Sequence, residues 1–98
     1  MQIDITQENG KMTVALEGRL DTLTAPQLEA EIQGKLGNVK ELIFDFSKVP
    51  YISSGGLRIL LTAQKIMNKQ GSMVVRGARA EIKEIFDVTG FCHILTVE

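Results

Sequence analysis

The chain has 98 residues, 11 Lys+Arg against 12 Asp+Glu, a formal charge of −1 and 44% hydrophobic residues. A chain of this length supports one hydrophobic core and excludes a second domain. Its near-balanced charge, without a basic run, excludes the electrostatic footprint of a nucleic-acid binder and a polybasic membrane patch, so its partners are recognised by shape.

No uninterrupted apolar run is longer than stretches such as Ile59-Leu60-Leu61, far short of the roughly 20 residues a spanning helix needs. The opening Met1-Gln2-Ile3-Asp4-Ile5 alternates like a strand and lacks the basic and apolar regions of a signal peptide, so the expected location is the cytoplasm. One Cys and one His give neither an internal disulfide nor a set of soft ligands for zinc. Packing alone must hold the domain together, and no cofactor is expected.

In chain order, Ile3 and Ile5 and then Met12, Val14 and Leu16 alternate with polar or small residues on either side of Asn9-Gly10, which predicts a hairpin closed by a tight turn. Thr24-Ala25-Pro26-Gln27 has the spacing of a capping box with Thr24 as the cap. It opens a first helix whose apolar face is Ala25, Leu28, Ile32 and Leu36, stopping at Gly37. The stretch from about Val39 through Leu42, Phe44 and Phe46 is predicted as a central strand, apolar on both faces for most of its length. Ile59, Leu60, Ala63, Ile66 and Met67 form the stripe of a second helix that closes at Gly71. Met73 to Val75 make a short strand, Ala80, Ile82, Ile85 and Phe86 a third helix ending at Gly90, and Phe91 to Val97 a last strand. The order ββαβαβαβ predicts an α/β domain with a mixed, mostly parallel sheet, an N-terminal antiparallel hairpin and three surface helices.

Ser53-Ser54-Gly55-Gly56 is the most informative stretch, because two hydroxyls and two glycines fall where a loop turns into the second helix. The first-turn amides of a helix are unpaired and carry partial positive charge, which suits a phosphate added to a serine there. The glycines would let a partner's backbone approach. The plainer account is a serine cap and a tight turn. The stretch lacks the Lys of a phosphate-binding loop, and a serine nucleophile would lack a base, since the lone His93 lies on the predicted last strand, pointing away from Cys92. Asp21, before the first helix, and Asp45, expected at the mouth of the sheet near the serines, are each either site residues or ordinary polar caps. Leu57 and Leu61 flank the core stripe of the second helix, either as a partly exposed pair for a protein contact or as the edge of a wide buried face.

The run from Asp45-Phe46-Ser47 through Ile52-Ser53-Ser54-Gly55-Gly56-Leu57-Arg58-Ile59-Leu60 resembles the signature of the STAS domain, the fold of bacterial anti-sigma factor antagonists. Gly18-Arg19-Leu20-Asp21 with Thr24-Ala25 is similar to that family's first-loop motif, the Asn-Gly hairpin is usual there, and Phe86-Asp87-Val88-Thr89-Gly90-Phe91 resembles its closing Thr-Gly element. The likeness covers almost the whole chain. It implies a serine phosphorylated by a partner kinase, the anti-sigma factor, and dephosphorylated by a PP2C-type phosphatase. Alignment of Gly56-Leu57 with the family's Gly-Leu makes Ser54 the acceptor and Ser53, where many members have Asp, the runner-up. The implied partner-binding residues are Asp21, Thr22, Ser53, Ser54, Gly55, Gly56, Leu57 and Leu61. The resemblance further implies a monomer or weak dimer without catalysis of its own. Two other readings are an unphosphorylated STAS adaptor or subunit of a transport ATPase or signalling complex, and a small nucleotide-binding or hydrolytic protein.

Overall fold

The structure is a computed structural model and describes residues 1–98. Strands β1 (Gln2–Glu8) and β2 (Lys11–Glu17) form the expected hairpin. Asn9 and Gly10, at φ 51° and 81°, close it as the two left-handed residues that a two-residue turn matched to strand twist requires. Helix α1 (Ala25–Ile32), β3 (Glu41–Lys48), α2 (Ser54–Asn68), β4 (Ser72–Arg76) and α3 (Ala80–Thr89) follow. The sheet order is β1-β2-β3-β4, with β2, β3 and β4 parallel to one another.

Both crossovers from strand to parallel strand step in the same direction across the sheet. Since such crossovers are right-handed, their helices land on one face. Leu28 of α1, Leu60 of α2 and Ile82 and Phe86 of α3 share a single core with Val14, Leu42, Phe44 and Phe46. Phe46 packs edge-on to Phe44 and tilted against Phe86, with centroids 6.4 and 6.5 Å apart. The reverse face of the sheet carries no helix. There Ile43 is buried apart from the core, between Thr13 and Val74 on the neighbouring strands. The two-sided burial expected of β3 is therefore present at Leu42, Ile43 and Phe44 and ends at Asp45.

Three local expectations are corrected. The helix expected to reach Leu36 ends at Ile32, because Gly34 turns left-handed at φ 77°; Leu36 and Val39 stay buried in the loop beyond, where the Gln70 amide donates to both of their carbonyls. Thr24 is not a side-chain cap. Instead Asp21 Oδ1 accepts the N–H groups of Leu23 and Thr24, each at 3.0 Å, while Thr24 Oγ1 accepts the Asp21 N–H and donates to the Arg19 carbonyl. Gln27 reaches the Met1 carbonyl and closes no box. Finally, the expected last strand begins instead as a 3-10 turn at Phe91–His93. Leu95 bonds back to the Phe91 carbonyl and is buried, a helical spacing that lets Leu95 enter the core while the half-buried Phe91 packs against it. The final β element remains as one parallel bridge, Val97 beside Val75.

Gly71 joins α2 to β4, and a Cβ there would overlap the Lys40 carbonyl, to which Ser72 N–H also bonds. Gly71→Ala is expected to cost on the order of 3 kcal/mol by overpacking against backbone, lowering the thermal midpoint by about 10 °C or more. Gly37→Ala, with nothing near the added carbon, should be close to neutral in the same melting experiment. A second expectation concerns acid. The Thr24 N–H, followed by that of Leu23, the Thr24 hydroxyl and Arg19, holds the Asp21 carboxyl below its ordinary range. With the folded value depressed, the stabilisation is present above the unfolded value and is lost as pH falls through the folded one. In an NMR titration the Leu23 and Thr24 amides should shift with a midpoint below about 3.9; a midpoint at or above it would remove this role from Asp21.

Candidate functional site

The loop after β2 and the loop after β3 leave the sheet side by side and continue its pairing. Gly18 N–H bonds to the Lys48 carbonyl at 3.1 Å, Leu20 N–H to Tyr51 and Ser53 N–H to Leu20, both at 2.9 Å. Leu20 and Ile52 form a parallel bridge, and both side chains are buried beneath it. The two motifs singled out in the sequence thus become neighbours. Gly56 sits directly on this pair: a Cβ would lie 2.7 Å from Leu20 Cγ and 2.8 Å from Ile52 Cγ1. Its smoothness serves the chain's own packing, and the expected approach of a partner's backbone does not occur at this buried position. At Gly55 a Cβ would meet Thr22 Cα at 3.6 Å and Ala25 Cβ at 3.7 Å, which is ordinary contact.

Ser53 is extended at φ −101°, ψ 177° and occupies the N-cap position, yet its side chain makes no cap hydrogen bond. The Ser53 hydroxyl is sealed from solvent without a partner. Ser54 is the first residue of α2 and is exposed. The first helical bond runs from Leu57 N–H to the Ser53 carbonyl at 2.9 Å, so the amides of Ser54, Gly55 and Gly56 lie ahead of the ladder. No acidic residue occupies the first turn. Of the two serines, Ser54 alone offers its hydroxyl to another molecule.

The other candidates separate. Asp21 and Thr22 lie at the site, with Asp21 bound to the loop amides described above. Leu57 is buried in the core at 7% exposure, so of the two alternatives the wide buried face holds for it, and only Leu61 is half-buried. Asp45 alternates with the core residues Phe44 and Phe46 and so faces the helix-free side of the sheet, away from the serines. The Ser47 N–H, at 2.9 Å, is the main group holding its carboxyl below the ordinary range. Cys92 and His93 lie in the 3-10 turn; burial, with Asp87 nearby, pushes the thiol up. No group of three His, Cys, Asp or Glu side chains could hold a metal. A cleft of about 480 Å³ between α1 and α2, walled by Ile32, Leu36, Ile59, Ala63 and Ile66, takes none of its lining from the serine turn.

Pattern reading missed the apolar surface that the two loops expose. Leu23 is 88% exposed, and Tyr51 lies under the Arg19 guanidinium, 4.4 Å from the ring centroid, while Arg19 Nε approaches Asp21 Oδ2 at 3.6 Å. The available signal was a lone leucine in a stretch too irregular to be strand or helix.

This arrangement has counterparts among known proteins. Residues 2–98 match the STAS domain. BtrV of Bordetella bronchiseptica, which bears the name of an anti-sigma factor antagonist, is 30% identical over 99 residues, covering 99% of this chain and 85% of that protein. The crystal structure of an anti-sigma factor antagonist from Mycobacterium paratuberculosis superposes with a TM-score of 0.87 at 26% identity, covering 98% of this chain and 83% of that one. The unphosphorylated form of the antagonist SpoIIAA superposes with a TM-score of 0.78 at 16% identity, covering 99% and 87%. No helix is long and apolar enough to cross a membrane. With the domain matched nearly end to end, and its loop motif and serine turn meeting at one bridge, the chain belongs to the STAS domain family.

Proposed function

We propose that this chain is an anti-sigma factor antagonist that works by partner switching in the cytoplasm. Its unphosphorylated form binds an anti-sigma factor serine kinase and so frees a sigma factor. Phosphorylation of Ser54 ends that binding. The kinase moves the γ-phosphoryl group of ATP to Ser54 Oγ, which gives up its proton, and ADP leaves; a PP2C-type phosphatase cleaves the Oγ–P bond with water. The chain itself is substrate and binding module.

The observation that carries this reading is the contrast between the two serines: Ser54 is exposed at the first position of α2, while the Ser53 hydroxyl is sealed. The relatives' names agree with it, as does a phosphorylated form of SpoIIAA, which superposes with a TM-score of 0.77. The contact surface would comprise Asp21, Thr22, Ser54, Gly55 and the half-buried Leu61, with the exposed Leu23 beside them. A phosphate brings about −1.5 to −2 charges, and a contact that buried them unpaired would lose roughly 3 kcal/mol, or about a hundredfold in affinity.

Incubation with the cognate kinase and ATP is expected to add one phosphate, located at Ser54 by mass spectrometry. Ser54→Asp should weaken kinase binding toward the phosphorylated level, and Ser54→Ala should bind as the unmodified chain does. No added mass with any cognate kinase would sink the switch, and label on Ser53 alone would displace Ser54 as the acceptor.

A further inference from the structure

Helix α2 has an unusual charge content: it carries Arg58 and Lys65 and no acidic residue at all. Arg58 is exposed and takes part in no ion pair, the pairs of the molecule being Arg19 with Asp21 and Lys35 with Glu31. It stands one helical turn beyond Ser54. Side chains so spaced share a face, and helical Cα–Cβ bonds tilt toward the N-terminus, so the side chain at 58 leans over the turn that begins at Ser54. The sequence thus lacks two anions at one place: the acidic group usual in a first turn, and a counter-ion for Arg58. One phosphate on Ser54 would supply both.

We propose that a phosphate on Ser54 is held within the chain by Arg58, which makes Arg58 the phosphate-positioning residue of the switch. Modification then does two things. It adds charge at the contact surface, and it withdraws from that surface a cation that the unphosphorylated chain leaves free for a partner's acidic group. The inference rests on Ser54 being the acceptor, and its test is separable from that reading because it needs no kinase.

The full chain is made with phosphoserine placed at position 54 during synthesis, and the second phosphate pKa is read by ³¹P NMR. In the parent chain it should lie below the ordinary value of about 6, because a nearby cation favours the dianion. Arg58→Gln should raise it by about 0.3, the size expected of an exposed pair one turn apart. Arg58→Lys should restore most of the difference, Lys65→Gln should leave the value where it was, and about 1 M salt should erase the effect of Arg58→Gln. An unchanged pKa in Arg58→Gln would overturn the pairing. So would an equal rise in Lys65→Gln, which would reveal only the net charge of the helix. Thermal melts of the unmodified variants should match the parent, since Arg58 is exposed. Should no kinase label Ser54 while the ³¹P difference persists, the switch fails and the pairing stands; should labelling occur without the difference, the reverse holds.

Discussion

The serine turn is positioned by the bridge between Leu20 and Ile52. Those residues belong to loops that depart from different strands, and without the bridge each loop would set its own course over the surface. Burying two such side chains contributes roughly 1.5–3 kcal/mol apiece, and the backbone bonds on either side fix the register. Gly56 then brings the first turn of α2 down onto the pair. Any larger residue would lift the helix start, and with it the exposed Ser54, away from Asp21 and Thr22. The glycine of the motif is thus a packing requirement of the chain that also sets the position of its neighbour Ser54.

The placement of this bridge follows from topology. Because the crossovers step one way, all three helices crowd one side, and the loops at the ends of β2 and β3 must rise toward that side together. The reverse face is left to short, mostly polar side chains around Ile43. Asp45 belongs to that face by the alternation of its strand, which is why it cannot join a site built above the helices' side.

Much of this was legible in the residues. Asn9-Gly10 demanded a hairpin, alternation through Leu42, Phe44 and Phe46 demanded a central strand, and Ser53-Ser54 stood out as two hydroxyls beside glycines at a helix start, with the choice of Ser54 coming only from the family resemblance. What failed did so where a local pattern met a tertiary demand. Phe91 to Val97 has strand-like composition, but packing both Phe91 and Leu95 on the core calls for a helical turn, and only Val97 pairs with β4. Leu57 lies at the margin of its helical stripe and is nonetheless part of the core, since the buried face of α2 is wider than the stripe. The Thr24-to-Gln27 spacing matched a capping box, yet the Thr24 hydroxyl is engaged by the Asp21 N–H and the Arg19 carbonyl, and the Gln27 N–H bonds to the Thr24 carbonyl instead. Leu23 carried no periodic signal, because a loop side chain answers to no repeat.

The architecture also bears on how a modification at this site could act. Ser54 faces water, so a phosphate there meets no core and requires no rearrangement of the bridge, of Gly56 or of the sealed Ser53. The domain carries a formal charge of −1, and at physiological salt a surface charge is felt over only about 8 Å. A phosphate's influence would therefore be confined to its own surroundings: the open amides of the first turn, Arg58 one turn on, and whatever surface a partner brings against Thr22 and Gly55. The first two are favourable to the anion and would keep the folded domain stable in the modified state. Only the third is unfavourable, and it exists only in a complex. On the proposed reading, a rigid seat with an exposed hydroxyl would thus let the modification leave the fold intact and act on association alone.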